Sequence, residues 1–173
     1  MNIPGSSTRR NPGRAPAGTR PQFDPEKSGK VGRVVEILGV ELLGAHFSRR
    51  DSTQLPVAAE GAEAFPAFGL NAVWKRSDDG TMLGCNVTFA TDFGEDPEPP
   101  YQLVASFRLT YSLPADSAFS EDELDNFANW NVVFNAWPYW REYLSSTINR
   151  ANLPRFAVPV MKLPISGGAQ ITK

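Results

Sequence analysis

Few side chains in this chain are of the types that catalyse reactions or bind metal ions. His46 is the only histidine and Cys85 the only cysteine. A pair of imidazoles, a disulfide within the chain and a two-thiolate metal site are therefore excluded. Cys85 falls on the apolar phase of a predicted strand, which indicates a small buried hydrophobic residue. His46 lies beside a predicted strand end and close to the Arg49-Arg50 pair.

Carboxylates are concentrated in the proline-rich segment 92–98, which holds Asp92, Glu95, Asp96 and Glu98. Two carboxylates can act as an acid and a base, and several can hold a cation weakly. A flexible loop has no packed neighbouring side chains to hold such carboxylates in a fixed geometry. The favoured interpretation is therefore a run of charged residues exposed to solvent. The glycines form neither the G-x-x-x-x-G-K-[ST] nor the G-x-G-x-x-G phosphate-binding pattern. The sequence therefore predicts a protein that is not an enzyme and needs neither a metal nor a cofactor.

The segment 130–159 is unusually rich in aromatic residues. Apolar residues recur there at the three- and four-residue steps of a helix face, at Val133, Trp137, Trp140, Leu144 and Ile148. A second apolar face is formed by Phe134, Tyr139 and Tyr143. In a chain of this size, a helix with two apolar faces needs two partners. The sequence predicts that the first stripe forms an oligomer interface; the alternative is a fully buried helix in a monomer.

Strand patterns precede this helix. Strict alternation from Tyr101 to Leu113 predicts a long, half-buried antiparallel strand, and the same period appears over residues 81–90 and 68–74. Residues 77–80, Ser-Asp-Asp-Gly, join the latter two strands as a tight hairpin. A further strand is predicted over residues 34–47, with a bulge near Gly39, where the apolar phase slips.

The helical part has a clear beginning. Ser120 and Glu123 match a capping box, flanked by Phe119 and Leu124 as a hydrophobic staple. Pro138 within the helical stretch predicts a short helix over about residues 121–130 and a longer one from shortly before Pro138 to near residue 150. Four antiparallel strands followed by helices indicate an α+β fold, with the four-stranded antiparallel sheet packed on C-terminal helices.

The N-terminal residues are rich in Pro, Gly and Arg and nearly lack aliphatic side chains, which predicts disorder. Residues 1–33 hold seven basic and two acidic residues, a charge of +5, and the ten basic and seventeen acidic residues that follow give −7. We expect a disordered basic tail over residues 1–30, one domain over residues 31–165 and a flexible tail over residues 166–173. The basic tail can contact nucleic acid or an acidic partner, although the favoured interpretation is a solubilising tail.

No apolar segment follows Met1 to form a secretory signal, and no apolar run reaches the length needed to cross a bilayer. The sequence therefore predicts a cytoplasmic protein.

A family resemblance appears in the aromatic segment. The string A-W-P-Y-W-R-E at residues 136–142, then N-R-A-N-L-P at 149–154 and V-P at 158–159, resembles the SecB export chaperone family. The resemblance covers roughly residues 31–165 and is distant outside the helix. It implies a homotetramer, built as a dimer of dimers, with a groove that binds unfolded polypeptides without ATP.

The resemblance places Phe68 and Leu70 at groove-facing positions of the second strand. The aromatic pattern adds further substrate-binding candidates, namely Phe65, Trp130, Phe134 and Phe156. For each of these residues, packing in the core or between subunits is the alternative.

Family members that serve export dock the ATPase SecA through acidic residues on the flat face of the sheet and through a C-terminal helix. Glu41 matches one acidic position, but Ala45 and Val104 replace two others, and residues 165–173 lack an acidic tail. SecB-like proteins also act as dedicated chaperones of antitoxins. The sequence predicts a holdase for unfolded polypeptides, with export precursors as clients. The alternatives are a chaperone for one antitoxin and a nucleic-acid-associated protein that uses its basic tail.

Overall fold

The structure, a computed structural model, describes residues 22–49, 67–93, 101–114, 116–153, 158 and 160–161, and for residues 67 and 68 the backbone alone. The elements are α1 (Pro25–Gly32), β1 (Glu36–Arg49), β2 (Ala67–Arg76), β3 (Met82–Phe93), β4 (Tyr101–Ser112), α2 (Glu121–Phe127), a π-helical turn (Ala128–Val132) and α3 (Val133–Arg150). The strands form one antiparallel sheet in the order β1-β4-β3-β2. The predicted α+β fold is confirmed.

The sheet has one buried face. Along β3 and β4 every second residue is buried, in the phase that the sequence predicted. These residues form the inner face, which packs against the helices, while the intervening and mostly polar residues form the outer face. The hairpin between β2 and β3 is also as predicted, since Gly80 has a φ of +72° and the backbone N–H of Ser77 donates to the carbonyl of Met82 at 2.9 Å.

The helical run from residue 121 to residue 150 is continuous. The capping box is present, because the Ser120 side chain accepts from the N–H of Glu123 while the Glu123 carboxylate accepts from the N–H of Ser120. The predicted short and long helices correspond to α2 and α3, and the long one begins at Val133, before Pro138. The π-helical turn joins α2 to α3 without interruption, and Pro138 lies inside α3 on its exposed side, where water can reach the carbonyl that its missing N–H leaves unpaired.

The apolar stripe of α3 packs on the chain's own sheet. Val133, Trp140, Leu144 and Ile148 are buried within the single chain, and Trp137 is partly buried against the same core. Trp140 stacks on Phe89 of β3, with ring centroids 5.4 Å apart and planes 13° from parallel. The four buried side chains have no surface left to offer another subunit. Their predicted place in an oligomer interface is therefore corrected to the core.

β1 is an edge strand with two bulges. Its register with β4 shifts between Ile37 and Gly39, as predicted near Gly39, and again between Leu42 and Gly44, which the sequence analysis missed. Leu38 and Leu43 have no partner residue in β4 and are exposed.

The predicted disordered tail includes a helix. α1 begins after Asp24, whose side chain accepts from the N–H groups of Glu26 and Lys27, and Pro25 occupies the first turn. The helix packs on α2 and the π-helical turn through Ser28 and Val31, which are fully buried. The disorder predicted for residues 1–30 is therefore wrong for residues 22–30. The predicted tails over residues 1–21 and 166–173 lie outside the described residues.

Replacing Trp140 by Ala should lower the free energy of unfolding by about 3–5 kcal/mol, because a fully buried indole is lost from the core. Urea denaturation measures this effect. Phe134→Ala, on the same helix but 43% exposed, is the matched control and should change the free energy by less than about 1 kcal/mol. A Trp140→Ala protein that keeps its stability but loses self-association would restore the interface prediction.

Candidate functional site

The side chains with potential chemistry are dispersed. Cys85 is fully buried on the inner face of the sheet, and burial raises the pKa of its thiol to about 12, as expected for a small hydrophobic core residue. His46 is exposed on β1. Of the acidic segment, Asp92 lies in β3 and residues 94–98 lie outside the described ones. Within the described ranges, no three His, Cys, Asp or Glu side chains are grouped as metal ligands.

The surface features of interest flank α3. On one side, Tyr139 packs near Phe107 of β4, with ring centroids 6.4 Å apart, and the Asn135 amide donates to the hydroxyl of Tyr111 at 3.1 Å. On the other side, Trp137 packs edge-on against Phe89 of β3 at 5.7 Å. Tyr139 therefore marks the flank towards β4 and β1, and Trp137 marks the flank towards β3 and β2.

The flank towards β1 is open and apolar. Ile37 and Leu42 lie on the inner face, opposite Tyr111 and Phe107 of β4. No described helix covers them, so they are 48% and 50% exposed, and the neighbouring Tyr139 is 46% exposed. This set of three residues is called the β1 flank below. None of these three residues was predicted as a surface site. The apolar residues on both alternating phases of β1 are the feature of the sequence that indicates such a surface.

The flank towards β2 holds the predicted substrate-binding residues that the structure describes. Leu70 is partly buried on the inner face of β2, opposite Phe89, which contacts Trp137. Phe134 lies one turn before Trp137 on the same side of α3 and is 43% exposed. Trp130 lies one further turn back, in the π-helical turn, and is partly buried. Leu70, Trp130 and Phe134 are called the β2 flank below.

The other predicted substrate-binding residues are not placed by the structure. Phe65 and Phe156 lie outside the described residues, and Phe68 is described only as a backbone position in β2, paired with Thr91.

Segment 22–32 covers one end of the β2 flank. The Phe23 ring lies 5.2 Å from the Trp130 ring, and Gly32 lies so close to the π-helical turn that a side chain there would meet the Asn131 amide at 2.8 Å. The Ser28 hydroxyl donates to the Oδ1 of Asn131 at 2.6 Å.

Asn126 of α2 binds the backbone of this segment. Its Nδ2 donates to the carbonyl of Gln22 at 2.9 Å, and its Oδ1 accepts from the N–H of Asp24 at 3.2 Å. Asn126 is 3% exposed, so its end of both bonds is buried. A side-chain amide that pairs with a carbonyl and an N–H two residues apart recognises an extended backbone whatever its side chains are.

Charge adds to this docking. The Lys27 ammonium lies 2.5 Å from a carboxylate oxygen of Asp122, and that of Lys30 lies 2.5 Å from a carboxylate oxygen of Glu123. The hydrogen bond to Asp122 raises the pKa of Lys27, and the hydrogen bond from Lys30 lowers the pKa of Glu123. Two cations of the predicted basic tail are thus engaged with the chain's own acidic helix.

The outer face of the sheet carries mixed charge. Glu41, the residue predicted for partner docking, is exposed in β1 directly opposite Arg108 of β4. The guanidinium Nε of Arg108 donates to the Oδ1 of Asn86 at 3.1 Å. Glu41 therefore lies beside a cation instead of within an acidic surface.

No protein-family model matches the sequence, and no curated protein matches it. Among solved structures, the chain is similar to a SecB-like chaperone from Mycobacterium tuberculosis in complex with a ChAD peptide from the HigA1 antitoxin, with a TM-score of 0.61 and 16% identity over 79% of this chain and 98% of that one. The chain has the SecB-like fold. The resemblance predicted from the aromatic helix is thereby confirmed at the level of the fold.

A second similar structure is a protein of unknown function from Streptococcus agalactiae. It has a TM-score of 0.41 and 11% identity over 72% of this chain and 96% of that one. In the part of the chain that the structure describes, no helix has the length and apolar character needed to span a membrane.

Segment 22–32 was the main feature that the sequence analysis missed. Asp24 followed by Pro25 and Glu26 is a helix-start pattern, and Lys30 near the end fits the helix dipole. The composition of the preceding residues obscured this short signal.

The docking of α1 should depend on pH. Because the folded state lowers the pKa of Glu123, its contribution is complete above the ordinary glutamate pKa of 4.5 and is lost as pH falls below that value. Because the folded state raises the pKa of Lys27, its contribution is complete below the ordinary lysine pKa of 10.5 and is lost above it.

NMR can follow the docking of α1 through the methyl groups of Val31. Their chemical shifts should move towards those of the free peptide below pH 4.5, and at a higher pH when the salt concentration is high. The methyl groups of Leu109, in the core of β4, are the control and should not move over that range. Equal shifts at both residues would indicate global unfolding instead of release of α1.

Proposed function

We propose that this protein is an ATP-independent chaperone that holds unfolded polypeptide segments on the β2 flank. The supporting observation is an apolar surface, Leu70, Trp130 and Phe134, beside α3 in a chain with the SecB-like fold. Phe134 is large, apolar and 43% exposed on α3, and β2 is an edge strand of the sheet below that helix. An apolar groove beside a strand suits an extended segment, since side chains and backbone can both find partners there.

The predicted residues Phe65, Phe68 and Phe156 extend this proposal. Phe68 precedes Leu70 by two residues in β2, so its position falls on the same face of the sheet. Aromatic side chains along one trough would allow many client sequences to bind, because apolar contacts impose little directional specificity.

Self-association belongs to the β1 flank in this proposal. β1 is fourteen residues long, lies at the sheet edge and exposes apolar residues on both faces. An edge of this kind is a template for pairing with another chain. A second copy covering β1 would bury Ile37, Leu42 and Tyr139, and a dimer of dimers is the assembly that the family resemblance implies.

Among chaperone roles, we favour that of a chaperone dedicated to one client. The Mycobacterium tuberculosis protein with the same fold was solved with an antitoxin peptide. Export remains the other candidate, and a SecA partner would have to use Glu41, which lies opposite Arg108. Association with nucleic acid is less favoured, because Lys27 and Lys30 are paired with carboxylates of α2.

Client capture should depend on Phe134 more than on Tyr139. Phe134→Ser should weaken suppression of aggregation of a chemically denatured protein, measured by light scattering without ATP, because it removes apolar surface from the β2 flank. Tyr139→Ser is the matched control, since Tyr139 has nearly the same exposure on the same helix but lies on the opposite flank. Equal losses in both variants, or none in Phe134→Ser, would contradict this placement.

Self-association should depend on β1. Leu42→Glu places a charge on the β1 flank and should reduce the mass observed by sedimentation equilibrium to that of a smaller species. Val73→Glu is the matched control, because Val73 is 51% exposed, against 50% for Leu42, but points to the outer face at the opposite edge of the sheet. A wild-type protein that sediments as a monomer would contradict the proposed assembly.

A further inference from the structure

Segment 22–32 binds α2 and the π-helical turn in the manner of a ligand. Three kinds of contact are made: Asn126 binds the extended backbone of residues 22–24, Trp130 receives the ring of Phe23, and Asp122 and Glu123 pair with Lys27 and Lys30. The surface made of Asp122, Glu123, Asn126, Phe127, Trp130 and Asn131 is called the α1 site below.

The contacts that hold α1 are of the kind that competitors can replace. Among the residues of α1, only Ser28 and Val31 are fully buried, and both ion pairs have a lysine side chain 42% or 51% exposed. An isolated helix of eight residues is not stable in water, so α1 is helical only while docked. Docking and folding of α1 are therefore one equilibrium, which salt and competing segments can shift.

The α1 site is continuous with the β2 flank. Trp130 belongs to both, and the exposed Phe134 lies one helical turn beyond it. A segment lying along the β2 flank towards α2 would therefore reach the Trp130 face that Phe23 occupies.

We propose that the α1 site is a second recognition site for client polypeptides, which segment 22–32 occupies in the free protein and from which a client must displace it. The client segment that fits has an aromatic side chain in an extended stretch, followed by basic residues about four and seven positions later, as Lys27 and Lys30 follow Phe23. Its backbone pairs with the Asn126 amide, its aromatic ring packs on Trp130, and its cations meet Asp122 and Glu123. This inference rests on the proposed function, because it concerns clients of the same protein.

The charge of the surface favours this client over a nucleic acid. α2 presents Glu121, Asp122 and Glu123 in its first turn, and residues 34–173 carry a net charge of −7. A polyanion would be repelled, whereas a basic peptide would be attracted.

The test uses the full-length chain and two probes. One probe is a fluorescent peptide of residues 22–33, QFDPEKSGKVGR, and the other is a permanently unfolded, carboxymethylated protein. Lys27→Glu combined with Lys30→Glu should release α1, detected by rapid hydrogen exchange at the amides of Ser28 and Arg33, which are bonded within the docked segment. Val31→Asp, which puts a charge at a fully buried position, is a second route to release.

Release should tighten binding of both probes by about ten-fold, because the competing segment is gone. Excess unlabelled peptide should displace the unfolded protein, and the same peptide with Phe23→Ser should not. Adding Asp122→Lys to the double variant restores one of the two ion pairs with its charges exchanged and should shift α1 back towards its docked state. Asn126→Leu releases α1 but also removes the backbone contact, so it should not tighten binding.

The proposal is overturned if α1 is released and binding of the unfolded protein is unchanged or weaker, or if the peptide fails to displace it. It is also overturned if α1 stays protected in both release variants. Failure of the proposed function looks different: neither the wild-type protein nor the variants would bind the unfolded protein, while the released variants would still bind the peptide.

Discussion

The stacking of the Trp140 indole on the Phe89 ring fixes where α3 crosses the sheet. With centroids 5.4 Å apart and Trp137 packed edge-on beside them, the helix lies over β3 and β4. A helix with its side chains is about 10–12 Å wide, whereas the axes of four strands spaced by about 4.8 Å span roughly 14 Å. α3 alone therefore does not cover both edge strands of the sheet.

The two edge strands, β1 and β2, have different neighbours. β2 is tied to the helical layer, since the Trp74 indole N–H donates to the Oδ1 of Asp125 at 2.6 Å and the π-helical turn lies against the strand. β1 has no such neighbour among the described helices, and its apolar residues stay open. The proposed division of labour follows, with a second copy of the chain on the β1 flank and clients on the β2 flank.

Much of the architecture follows from local sequence patterns. Alternation places the strands, Asp79-Gly80 places the hairpin, and Ser120 with Glu123 places the start of α2, because each signal acts over a few residues. The apolar stripe of α3 was also recognised, but periodicity cannot say whether the surface opposite it belongs to the same chain.

Other features depend on tertiary contacts that composition does not report. Segment 22–32 is ordered by Asn126, Trp130 and Asn131, which lie about a hundred residues further along the chain. Pro138 is accepted inside α3 because the neighbouring aromatic residues hold the helix in place from the sheet side. Of the predicted client-binding residues, Leu70, Trp130 and Phe134 fall on one flank, and Trp130 is the one already in contact with the chain's own N-terminal segment.

The lone thiol in the middle of the sheet also has a practical consequence. Cys85 lies in β3 between Trp74 of β2 and Leu109 of β4, and only a thiolate reacts readily with alkylating or oxidising agents. With a pKa of about 12, almost none is ionised at neutral pH, and burial keeps reagents away. Oxidants should therefore leave the Cys85 thiol of the folded chain unreacted, and the rate of iodoacetamide labelling reports how often the central strands separate.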